Sequence, residues 1–217
     1  MYKLLSLILL LFTIQVQAQS DSTSKKFGVG LRGALAYNFT NFSGAPSQTE
    51  DYISYKNGAI FFEYRVSNLF SIQPEIQYSN MGVKEYQDSA KKLGYTMDIN
   101  YIGLAILPKL RLSAPGEKFG LTILAGPAVN YFLDSKISMN GTVLNLNSAQ
   151  LNGLFDKFNI TAIVGLGTTY RVTDRIELLG ELRANASIRN AYETLRINNQ
   201  PLLLNQFTLN LGAIYSF

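Results

Sequence analysis

Residues 206–217, QFTLNLGAIYSF, alternate apolar and polar side chains and finish on an aromatic. Phe207, Leu209, Leu211, Ala213, Tyr215 and Phe217 fall on one face of a strand, and Gln206, Thr208, Asn210, Gly212 and Ser216 on the other. In a soluble protein a terminal strand with an apolar flank is a sticky edge. A closed barrel in an outer membrane needs such a strand, with one face toward lipid and the other toward a polar lumen. Tyr215 and Phe217 then read as a C-terminal insertion signal, taken up by the barrel-assembly machinery.

The other end of the chain agrees. Lys3 precedes an apolar run over residues 4–14, followed by Val16-Gln17-Ala18. That is the charged start, hydrophobic stretch and small-residue cleavage site of a secretion signal. The run is too short to span a bilayer, which takes ~20 residues. No Cys follows it, so lipoprotein-type attachment is excluded. Residues 1–18 are read as a cleaved signal peptide, 19–26 as a short periplasmic segment and 27–217 as the barrel. Loss of Lys3 leaves 18 Lys+Arg against 15 Asp+Glu, a net +3 that gives no case for nucleic acid. No later segment is continuously apolar for a helical span, but strands cross with only ~9–11 residues each.

Eight strand-like stretches follow the signal, over residues 27–42, 58–66, 70–83, 95–112, 118–133, 157–172, 175–190 and 202–217. Three connections are tight, at Ser67-Asn68, Ala114-Pro115-Gly116-Glu117 and Thr173-Asp174. The four others, 43–57, 84–94, 134–156 and 191–201, are long. Long and short alternate strictly, so in an up-and-down meander every short turn lies at one end and every long loop at the other. Outer-membrane barrels have that asymmetry, with short periplasmic turns and longer external loops. The fold expected is an all-β, eight-stranded antiparallel transmembrane barrel with both termini periplasmic.

Parity assigns the faces. Around the seventh strand Ile176, Leu178, Leu182, Ala184, Ala186 and Ile188 share one side, and Glu177, Glu181, Arg183, Asn185, Ser187 and Arg189 the other. An Arg on the lipid face at mid-bilayer costs ~2–4 kcal/mol, so the charged side points inward. The same reasoning places Arg32, Glu63, Arg65, Glu75, Lys109, Arg111 and Arg171 inside. An eight-stranded barrel is just wide enough for side chains to fill, and unpaired buried charges are strongly destabilising. These residues are therefore expected to pair as a structural network that plugs the lumen.

Aromatics collect at both strand ends, as the two interfacial girdles of a barrel require. Phe27, Phe70, Phe119, Tyr170, Tyr215 and Phe217 lie toward the short turns; Tyr37, Phe39, Tyr78, Tyr131 and Phe158 lie toward the long loops. Pro74, Pro108 and Pro127 fall inside strands, where each removes a ladder donor, and bulges would accommodate them.

In FGVGLRGALAYNF, LFSIQPEIQYSNMG, YIGLAILPKL, FGLTILAGPAVNYF and LNLGAIYSF, taken in that order, the chain resembles the PorT-like outer-membrane β-barrel proteins of Gram-negative bacteria, a porin-family domain. Pro74 and Pro108 stand where that family also carries prolines. The resemblance implies an eight-stranded barrel with periplasmic termini. It implies no single activity, since the namesake serves a protein-secretion system, and it brings no catalytic residues.

Other motifs carry less. Gly28-Val29-Gly30-Leu31-Arg32-Gly33 spells a dinucleotide fingerprint but opens a strand instead of following one and leading into a helix, so no nucleotide site is expected. Gly28, Gly30, Gly165 and Gly167 instead leave room in a crowded lumen. The chain has no His, which removes the usual general base and the Ser-His and Asp-His machineries. Glu177 and Glu181 stand i, i+4 on one strand, ~13 Å apart, too far for paired-carboxylate hydrolysis. No enzyme, cofactor or metal site is expected, and the two glutamates serve as partners for Arg183 and its neighbours. The function expected is an integral outer-membrane component with a structural, binding or secretion-associated role, in contact with outer-membrane lipid and open to a protein partner at the long loops. The alternative is a narrow porin-like channel or transporter for small solutes. A soluble lipocalin-like binder would instead turn its apolar face inward.

Overall fold

Alternating side chains fix the backbone as long antiparallel strands. The computed structural model describes residues 25–41, 49–50, 52–86, 93–113, 117–139, 141–144, 156–188 and 203–217. The strands are β1 (Phe27–Asn41), β2 (Thr49–Glu50), β3 (Tyr52–Arg65), β4 (Phe70–Tyr86), β5 (Leu93–Arg111), β6 (Phe119–Met139), β7 (Thr142–Leu144), β8 (Phe158–Arg171), β9 (Ile176–Ser187) and β10 (Leu203–Ser216). Eight of them form a ring in the order β1-β3-β4-β5-β6-β8-β9-β10, and β10 returns to β1. The closing seam runs in unbroken register from Gly28↔Ser216 to Asn41↔Leu203. Closure leaves none of these eight strands as an edge, which is how a sheet can stand in lipid. Among the described residues there is no helix.

The tight turns use side-chain acceptors. The Ser67 hydroxyl accepts from the backbone N–H groups of Leu69 and Phe70, and the Thr173 hydroxyl from those of Arg175 and Ile176. Ala114, Pro115 and Gly116 lie outside the described residues, as do Arg189 and residues 1–18, the expected signal peptide.

At the opposite end the strands outrun the sequence reading. β4 reaches Tyr86, β5 starts at Leu93 and β6 reaches Met139, so the ends of the expected loops 84–94 and 134–156 are paired strand. β3 begins at Tyr52, inside the expected loop 43–57, and β2 and β7 are short additions paired to β4 and β6. The physical reason is the change of solvent. Beyond the lipid both faces of a strand meet polar surroundings, so hydrophobic alternation ends while the hydrogen-bond ladder continues.

The prolines do not sit at bulges. Pro74, Pro108 and Pro127 face outward and are exposed. Each keeps one ladder neighbour, as Pro74↔Ile106, Ile72↔Pro108 and Pro127↔Ala162. On the other side the ladder skips. β3–β4 pairing passes from Phe61↔Glu75 to Tyr64↔Ile72, and β5–β6 pairing from Ala105↔Ala128 to Lys109↔Leu124, with no change of register. The missing donors are thus absorbed as local gaps. The register shifts occur elsewhere, at Ala34/Ala36, Glu85/Tyr86 and Asn100/Tyr101.

The outer wall is apolar and uncovered. Leu31 is 66% exposed, Leu104 65% and Leu211 65%. Leu35, Leu209, Leu182, Leu166 and Ile123 stand in register across β1, β10, β9, β8 and β6 as one aliphatic row. A wall of this kind is far larger than the apolar patches a soluble monomer tolerates, and it is inverted relative to a soluble ligand-binding barrel. Aromatic clusters bracket it. Phe27 stacks with Phe62, Tyr64 and Phe217 at ring separations of 5.8, 5.3 and 6.2 Å, and Phe119 meets Tyr170 at 4.8 Å, all near the short turns. Phe39 meets Phe207 at 5.1 Å and Tyr131 meets Phe158 at 5.4 Å toward the other end.

Candidate functional site: an ionic and amide-lined lumen

Inward-facing positions of all eight ring strands converge on the barrel axis. Arg32 comes from β1, Glu63 and Arg65 from β3, Glu75 from β4, Lys109 and Arg111 from β5, Arg171 from β8, and Glu177, Glu181 and Arg183 from β9. Space for these long side chains is made by glycine. A Cβ at Gly167 would stand 2.8 Å from Cγ of Glu181, and one at Gly30 would enter the ring of Phe61.

Arg183 is the centre of the arrangement. Its two terminal nitrogens donate to the two oxygens of Glu75 at 2.9 and 2.8 Å, and it also pairs with Glu181. β4 and β9 lie four steps apart in a ring of eight, so the Arg183–Glu75 pair crosses the full width of the lumen. Arg32 donates to the same Glu75 carboxylate at 2.8 Å, and also pairs with Asn210. Lys109 reaches Glu181 at 3.3 Å and Glu63 at 3.9 Å, and Arg65 joins Glu63 at 3.2 Å. All of these but Arg65 are almost fully buried; Glu75 and Arg183 have side chains only 0% and 1% exposed. A bidentate guanidinium–carboxylate pair is among the strongest a protein makes, and burial strips away the water that would weaken it.

Nearest the short turns the pattern changes. Glu177 accepts from Arg65 at 3.4 Å and from Arg111 at 3.2 Å, and Arg171 stands 3.9 Å away. Sequence spacing assigns the two β9 glutamates to Arg183 and its neighbours. Only Glu181 pairs with Arg183 itself, because four residues along the strand carry Glu177 down to the arginines of the mouth.

Above Arg183 the lining is largely amide, and toward the long loops Asp98 accepts from Asn80 and Asp134 from Asn100. Gln206 donates to Asn38 at 2.8 Å and to the Asn80 carbonyl at 3.2 Å, Gln77 donates to Asn130 at 3.0 Å, and Asn159 to Ser187 at 3.1 Å. The gap between Arg32, Gln77, Arg183 and Gln206 holds about 10 Å³, at the lower bound for one water molecule. Two apolar clusters complete the interior: Ala105, Leu107, Leu124, Ala128 and Ile163 on one wall, and Phe61, Leu179 and Ile214 on another. Parity reasoning that sorted apolar residues outward missed both. Among the described residues no three His, Cys, Asp or Glu side chains gather as a metal site.

Residues 17–193 match the family model described as outer membrane protein beta-barrel domain. Among solved structures, Neisserial surface protein A (NspA) is similar at 15% identity and a TM-score of 0.56, covering 88% of this chain and 97% of that one. The outer membrane protein OprG from Pseudomonas aeruginosa is similar at 10% identity and a TM-score of 0.53, covering 89% of this chain and 96% of that one. At these identities the likeness is one of fold. No curated protein matches the chain in sequence.

Proposed function

Because the chain belongs to the outer membrane protein β-barrel domain family and lies in the cell outer membrane, we propose that it is a PorT-like barrel with a charge-plugged lumen. It acts as a structural, binding or secretion-associated component and not as a catalyst or an open channel. The observation that carries this reading is the Arg183–Glu75 strut, made at 2.8 and 2.9 Å across the full bore. A solute path through the axis would have to break that pair, and separating one buried ion pair costs about 3–5 kcal/mol. With the axis occupied, the parts free to engage a partner are the segments beyond the lipid, and loops on a rigid scaffold commonly carry binding. The partner is met outside the membrane, at the end where β6 and β7 extend.

Single-barrel recordings in planar bilayers test the lumen directly. The wild-type protein is expected to give no steady conductance. Glu75→Ala with Arg183→Ala, checked for folding by its heat-modifiable migration, is expected to open measurable current. A steady wild-type conductance carried by small ions would replace this reading with a narrow channel.

A further inference from the structure

Among the described residues, the ten ionic side chains between the barrel centre and the short-turn mouth do not balance. Arg32, Arg65, Lys109, Arg111, Arg171 and Arg183 face Glu63, Glu75, Glu177 and Glu181, six cations against four carboxylates, an excess of +2. Each carboxylate is already shared between at least two cations. In a narrow, poorly hydrated space an uncompensated charge is costly, so the excess has to meet a counter-charge or water.

Among the described residues the most open place for this is the short-turn mouth. Going from the centre to the short-turn mouth, side-chain exposure rises from 1% at Arg183 to 17% at Arg65, 19% at Arg111 and 32% at Arg171. All three arginines converge on Glu177, and Arg65 alone among them also holds Glu63. Among the described residues the Arg171 side chain makes no hydrogen bond, only the 3.9 Å approach of its Nε to Glu177. Arg111 spends one donor, on Glu177 Oε2 at 3.2 Å. A guanidinium carries five N–H donors in a planar fork that matches an oxyanion, so most of this capacity is unspent and faces the mouth.

We propose that this mouth is an oxyanion site, in which Arg111 and Arg171, backed by Arg65, hold a phosphate or carboxylate group arriving from the periplasm. The anion completes the charge balance that Glu177 only begins. It does not require passage through the barrel, since the Arg183–Glu75 pair lies behind it.

The test uses the full-length folded barrel in a neutral maltoside detergent, with unfolding midpoints compared in sodium phosphate and sodium chloride at equal ionic strength. Phosphate well above its dissociation constant is expected to raise the midpoint by about 2–4 °C, through binding to the folded state alone. Line broadening of the ³¹P signal is expected to report the same binding without unfolding. Both effects should vanish in Arg111→Gln/Arg171→Gln and persist in Lys136→Gln, which removes a charge at the far end. Nanodiscs separate the sources of the phosphate group: if phosphatidylglycerol nanodiscs abolish the phosphate shift that phosphatidylcholine nanodiscs retain, the lipid headgroup fills the site. If the shift survives in both, a free anion fills it. Equal midpoints in the two salts without ³¹P broadening, or a phosphate effect unchanged in the double variant, would overturn the proposal.

Discussion

Glu75 takes hydrogen bonds from arginines on two other strands, Arg32 at 2.8 Å and Arg183 at 2.8 and 2.9 Å. Its carboxylate is the one the two arginines share, although Arg183 also pairs with Glu181. Glu75→Gln keeps the shape and removes the charge, leaving two buried guanidinium groups under-compensated. Loss of one member of a buried ionic set costs about 3–5 kcal/mol, which urea unfolding in detergent would register as a lowered midpoint. Adding Arg183→Met removes one of the stranded cations, so the double variant should recover part of the loss. Non-additivity of this sign is what coupling through a shared carboxylate requires.

The strands carry their own test. Leu182 lies in the middle of the aliphatic row that crosses β1, β10, β9, β8 and β6, whereas Phe119 begins β6 beside the short turns. Leu182→Arg should cost about 2–4 kcal/mol of stability in vesicles, and Phe119→Arg about 0–1 kcal/mol, read from guanidinium unfolding curves. The same lipid penalty explains how much of the fold was legible beforehand. Where lipid lies on one side and the lumen on the other, a slip of one residue would turn Arg183 into the bilayer, so residues 181–188 could be assigned face by face. Past Tyr131 that penalty is absent, and the sequence DSKISM of residues 134–139 gave no sign that β6 continues to Met139. Leu179 failed differently. With apolar neighbours on both sides in Leu178-Leu179-Gly180, only its contact with Phe61 and Ile214 reveals that it belongs inside. Membership of the ionic network follows from parity, but partner choice does not. That Glu177 takes Arg65, Arg111 and Arg171 depends on the stagger between strands, which no one-dimensional spacing contains.

The assembled barrel is a ring of antiparallel pairs that becomes complete only when β1 meets β10, fourteen residue pairs that bring Gly28 against Ser216. Until that seam forms, both partners present unpaired backbone groups, which lipid does not forgive. Nitroxide labels at Leu178 and Leu209 should therefore gain oxygen accessibility together as the protein inserts, since β9 and β10 reach lipid as part of one closed wall. A label at Leu209 that enters hydrocarbon while the Tyr37↔Phe207 level is still open would show that closure is not concerted.

The seam also brings the backbones of Phe27 and Phe217 side by side. The Phe27 N–H donates to the Phe217 carbonyl at 3.3 Å, and the Phe217 N–H donates to the Phe27 carbonyl at 2.8 Å. Two residues at opposite ends of the numbering are thus next-door neighbours, at the side where Ser67-Asn68 reverses the chain. A short glycine-rich bridge from Phe217 to Phe27, with the polypeptide reopened between Ser67 and Asn68, would preserve every ladder while changing which strand is made first. Such a permuted gene should yield the same architecture, because a ring has no intrinsic beginning.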